Sequence, residues 1–148
     1  MIRHCIKAAL ATLDAVEGED IDLVVIPWQF NLRKEGEENS FPQELVKELL
    51  EKKHIVHFGT MLFSTGDLYG TKTLKALANI LRVLGQGMKV CVEIIMMACD
   101  GECIKMGEKV LVVAGTYYRA DFAVVATAAS STQVTSLRIN EIICKPIL

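Results

Sequence analysis

The stretch GQGMKVCVEIIMMACDGECI, residues 85–104, constrains the fold more than any other part of the chain. Within it, residues 88–99 carry only two charges, Lys89 and Glu93. This apolar part has 12 residues, fewer than the ~20 that a membrane-spanning helix needs. A helix that is apolar nearly all round must be covered nearly all round. We therefore expect it to pack between a β-sheet on one side and another helix or a partner subunit on the other.

Length and composition indicate one globular domain over residues 1–148, because 51% of the residues are hydrophobic and 23% are charged. A net charge of −2 gives no basic surface for nucleic acid and no attraction to an anionic membrane. We also find no spanning segment and no signal peptide pattern. Five cysteines, an odd number, favour reduced thiols and a cytoplasmic location. Cys99 and Cys103 lack a second ligand pair, so we expect no metal site, and we expect no cofactor.

Helical and strand patterns alternate along the chain. Helices are predicted over residues 4–16, from Ser40 to about 53, over 71–84, and through the opening stretch. Strands are predicted over 21–26, 54–58, 109–114, 122–126 and 139–144. Ser40 and Gln43 have the spacing of a capping box, with Pro42 in the first turn. The pattern predicts an α/β fold with a mostly parallel sheet of about five strands. The turn between 114 and 122 is too short for a crossover helix, so those two strands should pair antiparallel.

Candidate ligand-binding residues follow the predicted strands, because ligands of open α/β sheets bind beyond the carboxyl ends of the strands. The three loops contain Gln29; then Thr60, Ser64 and Thr65; then Gly115, Thr116 and Arg119. Hydroxyls, glycines and a guanidinium suit a phosphate or carboxylate better than a cation. The structural alternatives are an ordinary tight turn at 115–116 and an ion pair between Arg119 and Asp121.

A second candidate anion site lies at Gly85, Gly87 and Lys89, where the apolar helix begins. Free backbone N–H groups at a helix start attract anions. The helix dipole disfavours a cation in the first turn, and a bound anion would offset that cost. The alternative is that Lys89 pairs with Glu93 one turn later, on a partly solvated stripe.

Catalytic residues are not identified by the sequence. His57 lies in a predicted strand, but no Ser/His/Asp or Cys/His set can be placed around it from spacing, so it is interpreted as a core or edge histidine. Glu93, if buried, would suit general acid–base work, although pairing with Lys89 is the simpler interpretation.

Five segments together resemble a known family. They are GQGMKVCVEIIMMACDGECI, GEKVLVVAGTYYRADFAVVATAASS and RINEIICKPIL, with IDLVVIPWQF and EGEENSFPQELVKELLEKKHIVHFGTMLFS upstream. The family consists of small proteins related to the C-terminal α/β domain of pyruvate kinase. It implies a three-layer αβα sandwich. In the kinase this domain carries effector sites and subunit contacts and does no chemistry. The barrel that holds the kinase active site has no counterpart here, so the resemblance implies no pyruvate kinase activity.

Two departures from the family qualify the resemblance. The chain starts about where the helix after the family's first strand would start, so the resemblance implies that the central strand and its phosphate-binding loop are absent from this sequence. A fragment, a second polypeptide that completes the sheet, or a rearranged fold would each account for this. Tyr117 and Tyr118 also occupy a turn where relatives usually have small residues.

Three functions compete on this basis. The first is a homo-oligomeric ligand-binding or regulatory domain for a small phosphorylated or anionic metabolite. The second is a small hydrolase or transferase that uses Glu93 or Asp121 with Arg119. The third is a structural or interaction protein that docks through helix 88–99.

Overall fold

The computed structural model describes residues 3–27, 41–63, 72–115 and 120–147. These residues form a mixed α/β fold, as the sequence predicted. The helices are α1 (Arg3–Val16), α2 (Gln43–Glu51), α3 (Lys72–Arg82), α4 (Gln86–Asp100) and a 3₁₀ helix (Ser131–Ser136). The strands are β1 (Val24–Val25), β2 (Ile55–Val56), β3 (Lys109–Ala114), β4 (Phe122–Thr127) and β5 (Arg138–Cys144).

The described strands form two sheets rather than one mostly parallel sheet. β1 and β2 pair in parallel, with Val24 opposite Ile55. β3, β4 and β5 form an antiparallel sheet in that order, with Ala114 opposite Phe122. The antiparallel pairing predicted across the short turn after β3 is therefore confirmed. The predicted single, mostly parallel sheet is not observed among the described strands. A sequence pattern can identify a strand, but it does not show which strand lies beside it.

The start of α2 differs from the prediction. Pro42 has φ −62° and ψ 131°, so helical backbone begins only at Gln43, and the Pro42 carbonyl accepts a hydrogen bond from the Val46 N–H at 3.1 Å. Pro42 thus precedes the first turn. Gln43 is the first helical residue and not the third, so the predicted capping box is wrong; its other member, Ser40, lies outside the described residues.

A small core joins α1, α2 and β1. Apolar residues four apart on each helix point inward, as expected for residues on one helix face. The buried members are Ala9, Leu13, Val25, Phe41, Leu45 and Leu49. Phe41 and Phe58 meet edge to face, with ring centroids 6.2 Å apart, which is a favourable aromatic geometry.

The larger core lies between α4 and the antiparallel sheet. Inward-facing residues alternate along β4, as a half-buried strand requires. The buried residues are Met88, Cys91, Val92, Ile95, Met96 and Cys99 on the helix, and Val112, Ala114, Phe122, Val124, Ala126 and Ala128 on and beside the strands. A Cβ on Gly87 would lie 2.3 Å from the Phe122 Cβ, so only glycine permits the helix to approach the sheet this closely.

The rest of α4 is covered by the same chain. Helix α3 packs along it, and residues 57–63 cross its polar stripe, as described below. The prediction of a sheet on one side and a helix on the other is confirmed. Because a single copy buries the helix, α4 offers no exposed apolar face for a partner.

Candidate functional site

Lys89 and Glu93 form a buried ion pair one turn apart on α4. Their exposed fractions are 2% and 1%, and the Lys89 Nζ lies 2.5 Å from the Glu93 Oε2. The predicted pairing is confirmed, but the pair lies in the interior and not on a partly solvated stripe. The ammonium therefore sits near the start of a helix, in surroundings where both the helix dipole and burial disfavour a cation.

Phe63 contacts both members of the pair. Its backbone N–H donates to the Glu93 Oε1 at 2.7 Å, so both carboxylate oxygens accept hydrogen bonds. Its ring centroid lies 5.6 Å from the Lys89 Nζ, within cation–π range. The local sequence gives no signal for these contacts, because Phe63 and Glu93 are 30 positions apart.

The segment of residues 57–63, which leaves the carboxyl end of β2, runs antiparallel to α4. The His57 ring packs on Gly101, because a Cβ there would lie 2.5 Å from the His57 Nε2. A Cβ on Gly59 would lie 3.3 Å from the Met97 Cβ. Later residues of the segment thus contact earlier residues of α4, and Phe63 lies beside Glu93 and Lys89. Thr60 lies on this segment and is exposed.

The start of α4 lies beside the carboxyl end of β3. Gly85 precedes the helix with φ 122° and ψ 154°, a backbone conformation that favours glycine, and no side chain caps the helix start. Phe122 pairs with Ala114 and packs on Gly87. Gly115, which follows Ala114, therefore lies at the same end of the molecule as the first-turn N–H groups of α4.

Part of the predicted site lies at one end of the molecule: Gly85, Gly87 and Lys89 at the start of α4, with Gly115 at the neighbouring end of β3. Thr60 is not next to them, because it follows Gly59, which lies near Met97 toward the other end of α4. The other predicted ligand-binding residues lie outside the described residues: Gln29, Ser64, Thr65, Thr116 and Arg119.

Two further candidates have different environments. The His57 backbone N–H donates to the Val25 carbonyl at 3.0 Å and so continues the pairing of β2. The Asp121 Oδ1 is buried and has no hydrogen-bond partner within the described structure. A buried oxygen without a donor is costly, which makes Asp121 a place where a ligand donor would be stabilised.

The cysteine environments disfavour thiolate chemistry. Burial raises the pKa of the Cys91 thiol from 9.0 to about 12. Burial is also the main cause that raises the pKa of Cys99, and Asp100 and Glu108 add to it. Burial raises the pKa of Cys103 as well. These thiols are protonated at neutral pH and are weak nucleophiles.

Residues 3–27, 41–63, 72–115 and 120–147 contain no group of three or more His, Cys, Asp or Glu side chains suited to hold a metal ion. None of the helices in these ranges has the length and apolarity to cross a membrane. The chain matches no protein-family model.

Proposed function

We propose that the chain is a stand-alone ligand-binding or regulatory α/β domain for a small phosphorylated or anionic metabolite, cytoplasmic and self-associating, without pyruvate kinase activity. Its proposed relatives are the proteins that resemble the C-terminal domain of pyruvate kinase, with their three-layer αβα sandwich and mostly parallel sheet.

The observation that carries the proposal is the buried Lys89 ammonium near the start of α4. It lies against Phe63, on the segment that leaves the carboxyl end of the parallel strand β2, and ligands of open α/β sheets bind beyond such strand ends. Taking a charged pair out of water costs more than the pair usually returns. An anion at the helix start would be attracted by the N–H groups of the first turn and by Lys89 together.

Thermal unfolding in the presence of sugar phosphates, nucleotides and carboxylates tests the proposal. A ligand at 100 times its Kd adds about 2.7 kcal/mol to the free energy of unfolding. For a domain of this size, that corresponds to a rise in Tm of roughly 5–10 °C. Phosphorylated ligands should raise the Tm and uncharged analogues should not.

A double variant isolates the role of the pair. Lys89→Met with Glu93→Gln removes both charges but keeps an acceptor for the Phe63 N–H. The variant should remain folded and lose the ligand-induced rise in Tm. Lys52→Met with Glu48→Gln makes the same change in an exposed i,i+4 pair on α2, and it should respond to ligand as the wild type does.

The sequence-based part of the site has its own test. Arg119→Ala should weaken anion binding if the loop after β3 contributes its guanidinium. Unchanged affinity would remove Arg119 from the site without affecting the role assigned to Lys89.

A small enzyme that uses Asp121 with Arg119 is the second candidate, and the buried, unpartnered Asp121 Oδ1 favours it. Glu93 suits that role less well, because both of its oxygens already accept hydrogen bonds. This candidate predicts hydrolysis of a phosphate or carboxylate ester. Asp121→Asn should abolish that turnover while the Tm is retained.

A further inference from the structure

Residues 57–63 form a strap across the polar stripe of α4, and none of them is fully buried. The α4 residues that the strap contacts are almost inaccessible: Lys89 is 2%, Glu93 1% and Met97 4% exposed. A segment with few buried side chains opens at a lower free energy than the core that it covers. The strap is therefore the covering element that can detach while α4 and the antiparallel sheet stay folded.

The Glu93 carboxylate connects the strap to the ammonium. Its Oε1 accepts the Phe63 N–H at 2.7 Å, and its Oε2 accepts from the Lys89 Nζ at 2.5 Å. The Phe63 ring also lies 5.6 Å from the Lys89 Nζ. Displacement of Phe63 therefore uncovers the ammonium and removes one donor from Glu93 in the same step.

An anion cannot contact Lys89 unless a covering group moves, because the Lys89 side chain is only 3% exposed. The opposite side of α4 packs on the antiparallel sheet in the larger core, where Met88 and Ile95 are each 1% exposed. Moving the helix away from the sheet would disrupt that core. Moving the strap would break the Phe63 contacts and leave the core in place.

We propose that the anion site at Lys89 exists in an open form of the chain, in which the strap has moved away from the start of α4. This inference rests on the proposed function and adds a conformational control to it. The apparent Kd for the anion is then the intrinsic Kd divided by the open fraction. The coupling is reciprocal, so the anion opens the strap, and a weakened strap tightens anion binding.

Amide hydrogen exchange, with inorganic phosphate as the probe, tests the coupling. A minor open form is populated at about 0.1–10%, so saturating phosphate should speed exchange of the Phe63 amide about tenfold or more. The core amides of Val92 and Ile95 should exchange more slowly, because a bound ligand stabilises the fold. Phosphate that shifts the amides of residues 86–89 but leaves Phe63 exchange unchanged or slower overturns the strap alone. Phosphate that shifts none of those amides overturns the anion site, and the strap's role with it.

A variant at the far end of the strap separates its effect from that of the ion pair. His57→Ala removes the ring that packs on Gly101 but keeps the backbone N–H that bonds to Val25. At 1.5 Å per residue, Gly101 lies roughly 18 Å along the helix from Lys89. The variant should speed exchange of the Phe63 amide without ligand and lower the phosphate Kd by the same factor, about threefold to tenfold. Faster exchange with an unchanged or higher Kd contradicts the coupling.

His54→Ala is the matched control. His54 precedes β2, and its backbone N–H bonds to Leu49, outside the strap. This variant should change neither Phe63 exchange nor the phosphate Kd. In His57→Ala, the Val92 amide should exchange as in the wild type. Equal acceleration at Val92 and Phe63 would mean that the whole fold opens, and it would overturn the strap as a separate element.

Discussion

Removing one partner of the buried Lys89–Glu93 pair should destabilise the fold far more than removing both. Glu93→Leu leaves the Lys89 ammonium buried without this carboxylate and removes the acceptor of the Phe63 N–H. Lys89→Met leaves the Glu93 carboxylate buried without its ammonium. Breaking a buried pair in this way costs about 3–5 kcal/mol in the free energy of unfolding.

The double variant, Lys89→Met with Glu93→Leu, should be much closer to the wild type. Replacing a whole buried pair by apolar residues is often neutral or stabilising, by about 1–4 kcal/mol. The double variant also leaves the Phe63 N–H without its acceptor, which lowers the free energy of unfolding by about 1–3 kcal/mol. The two effects nearly cancel, so the double variant should lie within about 2 kcal/mol of wild type, and each single variant should be clearly less stable than the double.

Urea unfolding followed by circular dichroism measures these differences, and the chain provides an internal control. Glu48 and Lys52 have the same i,i+4 spacing, with 3.2 Å between the charged atoms and side chains that are 48% and 42% exposed, respectively. Exposed helix pairs contribute about 0.3–0.5 kcal/mol. Glu48→Leu and Lys52→Met should therefore change stability little. Single variants at Lys89 and Glu93 that cost no more than this control would refute the burial of the pair.

Three further predictions concern the core. The pKa of Cys91, raised to about 12, lies above its unfolded value of 9.0, so stability is full below pH 9 and falls as pH rises. At pH 10 the loss should be about 1.4 kcal/mol, and Cys91→Ala should reduce it in urea titrations. Gly101→Ala should cost about 1–3 kcal/mol, and His57→Ala in the same chain should recover part of this, because the His57 ring occupies the space. Gly87→Ala should lower the Tm strongly, with a cost of about 3 kcal/mol, since the new methyl group meets the Phe122 Cβ.

Local pattern was enough to predict most of the elements. Both boundaries of the strand Lys109–Ala114 agree with the prediction, because the apolar, β-branched run is followed by Gly115. The coverage of α4 also followed from composition, since only two of its residues from 88 to 99 are charged. The two short strands of the parallel pair were predicted too long, because an apolar run does not reveal how much of it finds a partner.

Long-range contacts were the part that the sequence did not predict. The sequence predicts a strand and a loop over residues 57–63 but not their alignment along α4. That alignment depends on Gly59 and Gly101, which make close contacts with residues distant in sequence. The Lys89–Glu93 pair was predicted from helix spacing, but its burial depends on Phe63. The expectation of a partner subunit over α4 lost its basis, because α3 of the same chain already covers the helix.

The most direct test of the account is a phosphate titration followed by two-dimensional ¹⁵N–¹H NMR of the wild-type chain. We expect saturable shifts of the amides at the start of α4, from Gln86 to Lys89, and of Gly115 at the end of β3. Phosphate that leaves these amides unchanged at concentrations that saturate shifts elsewhere, or that produces no saturable shift at all, would contradict an anion site at Lys89.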